Sequence, residues 1–135
     1  MKSETFSWEQ IESLSQILSK KINALGQKFN SISTISRGGL VPARLLADRL
    51  GINKILVDKN NIPSDSLFVD DIYDSGDTFK KILSIVENPE TLVYATLFAR
   101  KGKQYPKQLI FAQRTKGNEY IVYPWDRIEH KKMIN

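Results

Sequence analysis

The sequence predicts an α/β fold, a parallel sheet flanked by helices, and three observations carry that prediction. Short runs of branched apolar residues alternate with segments of helical periodicity along the chain. One run, Ser66 to Asp70 (SLFVD), is almost uniformly apolar before its aspartate, as suits a strand covered on both faces. Glycines fall where a strand must turn into a helix, in Arg37-Gly38-Gly39 and at Gly76. With 135 residues, 41% of them apolar, the chain can bury one core but hardly two, so residues 1–135 are read as a single domain.

The elements follow in order. Trp8, Ile11, Leu14, Leu18, Ile22 and Leu25 recur every three or four positions, Ser7 and Gln10 form a capping-box pair, and Gly26 ends the run. This is an amphipathic helix whose Trp and Leu stripe is read as packing. Ser31 to Ser36 is a strand, and Leu40 to Leu50 is a helix with Pro42 in its first turn and Gly51 at its end. Lys54 to Asp58 and Ser66 to Asp70 are the next two strands. Phe79, Ile82, Leu83 and Val86 mark a helix that stops before Pro89. Thr91 to Ala99 and Gln108 to Gln113 are strands, and Glu119 to Tyr123 is a short extended piece before Pro124-Trp125-Asp126. Trp125 is read as structural.

Composition removes several chemistries. The chain has no cysteine and one histidine, His130, which excludes a disulfide framework, a thiolate nucleophile, a cysteine zinc site and a histidine cluster. Its first residues lack a basic start followed by an apolar run, and no apolar segment approaches the roughly 20 residues that span a bilayer. A cytoplasmic location without a membrane partner is expected. The net charge of +5 is unevenly spread: five aspartates and no Lys or Arg lie between Asn60 and Phe79, whereas nine Lys/Arg face three acids from Arg100 onward. A divalent metal would suit the acidic stretch. An anionic ligand, an acidic partner or simple solvation would each explain the basic end; solvation is adopted, and no nucleic-acid partner is expected.

In an open parallel sheet, ligands bind beyond the carboxyl ends of the strands. There lies Asp70-Asp71-Ile72-Tyr73-Asp74-Ser75-Gly76-Asp77-Thr78. Gly76 allows a tight turn, the N–H groups of residues 75–78 can face an anion, and the hydroxyls of Ser75 and Thr78 add donors. Neither the G-x-x-x-x-G-K-[ST] pattern nor G-x-G-x-x-G is present, so a triphosphatase loop and a dinucleotide fingerprint are not supported. Two adjacent buried carboxylates, Asp70 and Asp71, need compensation by a metal or a polyhydroxyl ligand. A solvated or helix-capping pair is the ordinary alternative, and the apolar strand and phosphate turn around this pair weigh against it.

LFVDDIYDSGDT (Leu67 to Thr78) resembles the hallmark of the type I phosphoribosyltransferases: an apolar strand, two acids, two mainly apolar residues and a phosphate loop. ISRGGLVPARLLADRLGI (Ile35 to Ile52) resembles the corresponding region of the xanthine-guanine enzymes of bacteria, as do LFARK (Leu97 to Lys101) and the segment from Tyr120 to Asp126. The likeness runs from about Trp8 to Asp126. It implies the type I phosphoribosyltransferase-like sheet with a small hood built from the chain ends. It further implies transfer of a 5-phosphoribosyl group from phosphoribosyl pyrophosphate to guanine, xanthine or hypoxanthine, with Mg2+ as cofactor, in a homo-oligomer (dimer or tetramer).

The resemblance also implies roles. Asp70 and Asp71 would face the ribose hydroxyls and the magnesium, and Ser75, Gly76, Asp77 and Thr78 would hold the 5-phosphate, with the Asp77 side chain turned outward. Asp74 would be the general base near purine N7. Ser36, Arg37, Gly38 and Gly39 would take pyrophosphate, with Arg37 bonding the leaving group and the glycines admitting it to the backbone. Arg100 would donate to the purine 6-oxo group, and Tyr120, beside Ile121, would stack on the base, although core packing is the ordinary alternative for a tyrosine. One departure stands out. The family carries a long flexible loop that closes over substrate, and here only Lys59 to Asp65 joins the second and third predicted strands. Either another element or subunit closes the site, or turnover is poor, or the protein binds nucleotides without transferring.

Overall fold

A computed structural model describes residues 2–134. In chain order its elements are β1 (Ser3–Thr5), α1 (Trp8–Asn23), β2 (Ser31–Thr34), α2 (Leu40–Leu50), β3 (Ile55–Val57), β4 (Ser66–Tyr73), α3 (Asp77–Leu83), β5 (Val93–Ala99), β6 (Leu109–Arg114), β7 (Tyr120–Val122) and α4 (Arg127–Ile134). Five strands form one sheet in the order β3-β2-β4-β5-β6, and every pairing in it is parallel. The carboxyl ends of all five therefore lie along one edge, and the strand-to-helix loops gather there.

The pleat of β4 sorts the core into two layers. Leu67 and Val69 face α1 and α2, packing with Ile11, Leu18, Ile32 and Leu46. Phe68 faces α3, where its ring stacks on Tyr94 at 4.9 Å and Phe79 meets Tyr94 edge-on at 5.2 Å. Each such buried side chain contributes on the order of 2 kcal/mol. The predicted capping box opens α1: the Ser7 hydroxyl accepts from Gln10 N at 3.1 Å, and Ser7 N donates to Gln10 Oε1 at 2.8 Å. The stripe reading needs one correction, since Trp8 is 51% exposed and lies against Trp125, ring centroids 5.6 Å apart, rather than in the core. Leu25 is likewise exposed, beyond the end of α1.

Tertiary pairing moved several boundaries. β4 continues past Asp70 to Tyr73 because β5 offers a ladder that far, with Tyr73 opposite Ala99. The acidic pair is thus inside a strand, not at its end. α3 begins at Asp77, and Val86 lies outside it, in an isolated parallel bridge with Ile62. β5 starts at Val93 because Pro89–Thr91 forms a 3-10 turn. In the basic end read as solvated surface, Lys101, Lys103, Lys107, Arg114, Lys116, Arg127 and Lys131 are indeed exposed, Arg100 is buried, and the last stretch forms α4.

The chain ends build the expected hood. β1 pairs in parallel with β7, Glu4 opposite Ile121, in a separate two-stranded sheet. It is fixed to the main sheet by Phe6, which is buried with its ring 4.7 Å from that of Phe98 at the end of β5. On the opposite flank, residues 58–65 form a tethered connection. Ile62 is buried, its N–H donates to Ile85 O at 2.9 Å, and its carbonyl accepts from Glu87 N at 2.8 Å. Ser64 N donates to Glu87 Oε1 at 3.2 Å. No helix among the described residues is long and apolar enough to cross a membrane.

Candidate functional site

The loops after β2, β4 and β5 converge with the hood on a cleft of about 690 Å³. The loop after β2 lines it with Ser36, Arg37 and Gly38, the end of β4 and its turn with Asp71, Ile72 and Asp74, and the end of β5 and the hood with Arg100, Tyr120 and Ile121. A smaller recess of about 160 Å³, lined by Asp70 and Asp71 and by Asp74 through Thr78, adjoins it. Nearly every residue singled out from the sequence lines one space or the other. Gly39 is the exception: it is buried beneath the loop.

The glycines are dictated by close approach. A Cβ on Gly39 would fall 2.0 Å from Thr34 Oγ1, and one on Gly38 would fall 2.8 Å from Asp71 Oδ2. Gly38 therefore lets the loop after β2 lie directly against the acidic pair. Gly76 caps α3 with φ +90, a conformation that L side chains rarely adopt, and a Cβ there would meet the Tyr73 hydroxyl at 2.8 Å. The Ser75 hydroxyl accepts from Asp77 N at 3.2 Å, shaping the turn, and Asp77 is exposed. The start of α3 lines the smaller recess, where the first-turn N–H groups of a helix suit an anion.

The carboxyl groups of the acidic pair hydrogen-bond to each other, and both line the smaller recess. Asp70 shares the face of Phe68 and accepts from the Tyr94 hydroxyl at 3.4 Å. Asp71 lines both the cleft and the recess and lies against Gly38. Each carboxylate also accepts from the next backbone N–H at 2.8 Å. Burial pushes Asp70 well above the ordinary carboxylate value, with the Asp71 charge adding to it, and burial raises Asp71 as well. Such a pair gains most from a cation or from hydroxyl donors. Among the described residues no three His, Cys, Asp or Glu side chains cluster as a metal site. Mg2+ asks for less, because it is commonly held by one or two carboxylates with waters and phosphate oxygens, so the pair fits it.

Arg100 is buried, and its guanidinium is more committed than the sequence suggested. Its Nη1 donates to the carbonyls of Glu119 at 2.8 Å and Gly117 at 3.1 Å, while Nε and Nη2 reach Asp74 at 3.4 Å each. Asp74 and Arg100 thus stand side by side as acceptor and donor at the cleft wall. Tyr120 donates to Asp126 Oδ2 at 2.9 Å and lies nearly parallel to His130, ring centroids 6.1 Å apart.

Four residues near the site carried no predicted role. Tyr94 and Asp126 hold Asp70 and Tyr120. Trp125, read as structural, does stack on Tyr123 at 4.8 Å but also lines the cleft. Tyr123 is buried with no hydrogen-bond partner for its hydroxyl, and burial together with the charges of Asp71, Asp70 and Asp126 pushes that hydroxyl well up, so it stays a protonated donor. The segment YPWD signalled an aromatic wall, but nothing local distinguishes a packing ring from a lining one.

The loop after β2 has one more support. The peptide bond between Ser36 and Arg37 is cis. Ser36 N and Oγ both donate to Asp58, at 2.8 Å to Oδ1 and 2.5 Å to Oδ2.

No family model matches the chain. Solved structures do. A purine phosphoribosyltransferase from Pyrococcus horikoshii superposes with a TM-score of 0.76 at 21% identity, covering 94% of this chain and 95% of that one. The xanthine-guanine-hypoxanthine phosphoribosyltransferase of Helicobacter pylori gives 0.77 at 19% identity, covering 98% and 99%. A hypothetical protein from Neisseria gonorrhoeae with bound ppGpp gives 0.71 at 22% identity, covering 98% and 94%. At these identities the likeness is one of fold, and the fold is that of the purine phosphoribosyltransferases over nearly the whole chain.

Proposed function

We propose that this chain, built on the purine phosphoribosyltransferase fold, transfers the 5-phosphoribosyl group of phosphoribosyl pyrophosphate to a 6-oxopurine, releasing pyrophosphate. The observation that carries the reading is convergence: an anion-binding turn, a buried acidic pair, the loop of Arg37 and an aromatic hood all meet at one cleft. In this reading Ser75 to Thr78 hold the 5-phosphate and Asp70 and Asp71 orient the ribose hydroxyls. The same two carboxylates would hold Mg2+, which when bound supplies charge neutralisation at the pyrophosphate oxygens. Arg37 stabilises the negative charge that grows on the leaving group.

The base assignment rests on the Asp74–Arg100 pair. A guanine or hypoxanthine presents N7 and O6 side by side on one edge. A neighbouring acceptor and donor match that edge, Asp74 taking the N7 proton and Arg100 donating to O6. Arg has no acceptor to offer a 6-amino group, so adenine is the poorer substrate. Tyr120, Ile121 and Trp125 flank the ring plane. Protein, Mg2+ and phosphoribosyl pyrophosphate are to be incubated with guanine, xanthine, hypoxanthine or adenine, and nucleotide formation followed. The three 6-oxopurines are expected to react and adenine to react poorly. Asp74→Asn is expected to slow transfer by roughly a hundredfold or more while leaving nucleotide affinity nearly unchanged. Equal losses in both would remove the base role.

A second reading has its own observation. The connection 58–65 is tethered at Ile62 and Ser64, so it is not built to swing over the cleft. Together with the ppGpp-bound neighbour, this favours a module that binds purine nucleotides or phosphoribosyl pyrophosphate and regulates rather than turns over. Tight nucleotide binding with no product in the same assay would select it.

A further inference from the structure

We propose that Asp58 is a positioning residue that holds the Ser36–Gly39 loop in its anion-binding shape. The inference rests on the reading that this loop receives pyrophosphate. It is carried by a two-point contact: one carboxylate oxygen of Asp58 takes the backbone N–H of Ser36 and the other takes its hydroxyl. Such charge-assisted pairs fix geometry as well as adding strength. Both Ser36 donors are therefore committed to Asp58. That changes the part expected of Ser36, which becomes the loop's anchor, while Arg37 and Gly38 remain on the cleft wall beside it.

The backbone of Asp58 is shaped for the task. Its N–H donates to Thr34 O at 3.0 Å, which keeps it in register with the end of β2. Its φ of 54 then turns the chain into the left-handed region, which Asp and Asn adopt more readily than other side chains. Those two hydrogen bonds from Ser36, the hydroxyl's first, hold the carboxyl below its ordinary value, so it is ionised at neutral pH. Four residues further on, Ile62 is sealed against the segment after α3. The loop that carries Arg37 is thus tied to a fixed connection at the place where the family resemblance calls for a mobile one. A site without a lid has greater need of a preformed loop, because the cost of ordering it must be met before the ligand arrives.

Two variants suit the backbone. Asp58→Gly tolerates the left-handed conformation and removes both acceptors; Asp58→Asn tolerates it and keeps one. The ligands are inorganic pyrophosphate and guanosine 5′-monophosphate, each with Mg2+, titrated by calorimetry against wild type and both variants, with thermal melts alongside. Pyrophosphate binding is expected to weaken about tenfold or more in Asp58→Gly and about threefold in Asp58→Asn, whereas monophosphate binding, which uses the turn after β4, stays within about twofold in both. Equal losses for the two ligands would show general destabilisation and overturn the proposal. So would wild-type pyrophosphate affinity in Asp58→Gly. If that variant does not fold, Asp58→Asn decides, and unchanged affinity there overturns the proposal. Should wild type itself fail to bind pyrophosphate, the underlying assignment of the loop falls, and with it the role of Asp58.

Discussion

At the scale of single residues, burial puts the acidic pair under electrostatic tension. Asp70 and Asp71 are held above the ordinary carboxylate value of 3.8, chiefly by burial. The folded chain therefore holds their protons more tightly than the unfolded one. The stability they contribute is fully present below the unfolded value and is lost as pH rises through the raised ones. Asp70→Asn, permanently neutral, is expected to melt higher than wild type near about pH 8, with the gap closing toward about pH 4. The same variant is expected to lose Mg2+-dependent nucleotide binding. Melting curves across that range test the sign, and a gap independent of pH would refute the account.

At the scale of elements, what matters is which connections are fixed and which are open. The turn after β4 and the loop after β2 are shaped by Gly76, Gly38 and Gly39, where any side chain would collide or strain the backbone. The connection 58–65 is fixed by hydrogen bonding on both sides of Ile62. The amides of Asp58, Ile62 and Glu87, each bonded to a backbone carbonyl, are expected to exchange slowly with deuterated solvent, and at the same rate with or without phosphoribosyl pyrophosphate. Fast exchange that slows on adding ligand would mean that the segment does act as a lid. A fixed connection leaves the cleft open to water on that side, which bears directly on whether transfer or binding is the protein's main activity.

At the scale of the whole molecule, the cleft lies between two sheets that are distant in sequence and joined by packing. β1 reaches β7 across almost the entire chain, and Phe6 locks the pair onto Phe98. Sheet and hood are expected to melt in a single transition. A ligand touching both should stabilise the whole: guanosine 5′-monophosphate with Mg2+, at about a hundred times its dissociation constant, is expected to add about 2.7 kcal/mol, several degrees in melting temperature. A scan in which the hood separates first, or in which the ligand raises only one of two steps, would contradict that coupling.

Local chemistry was enough to make much of this legible in the sequence. The capping box of α1, the apolar run of β4, the glycine turns and the acidic-then-phosphate pattern of DDIYDSGDT depend on neighbours only a few residues away, so they can be read from order alone. Tertiary structure decided the rest. β4 runs through its aspartates because β5 pairs with it there, and the fold then sets Asp70 beside Tyr94 and Asp71 against Gly38. Arg100 meets Asp74 because β4 and β5 end side by side, and it reaches two carbonyls because the segment before β7 folds back onto it. Asp58 meets Ser36 because β3 lies beside β2, a pairing of residues 22 positions apart that no local pattern encodes. Strand registry and long-range hydrogen bonds place side chains in space, and for this protein they determine which of the legible residues face one another.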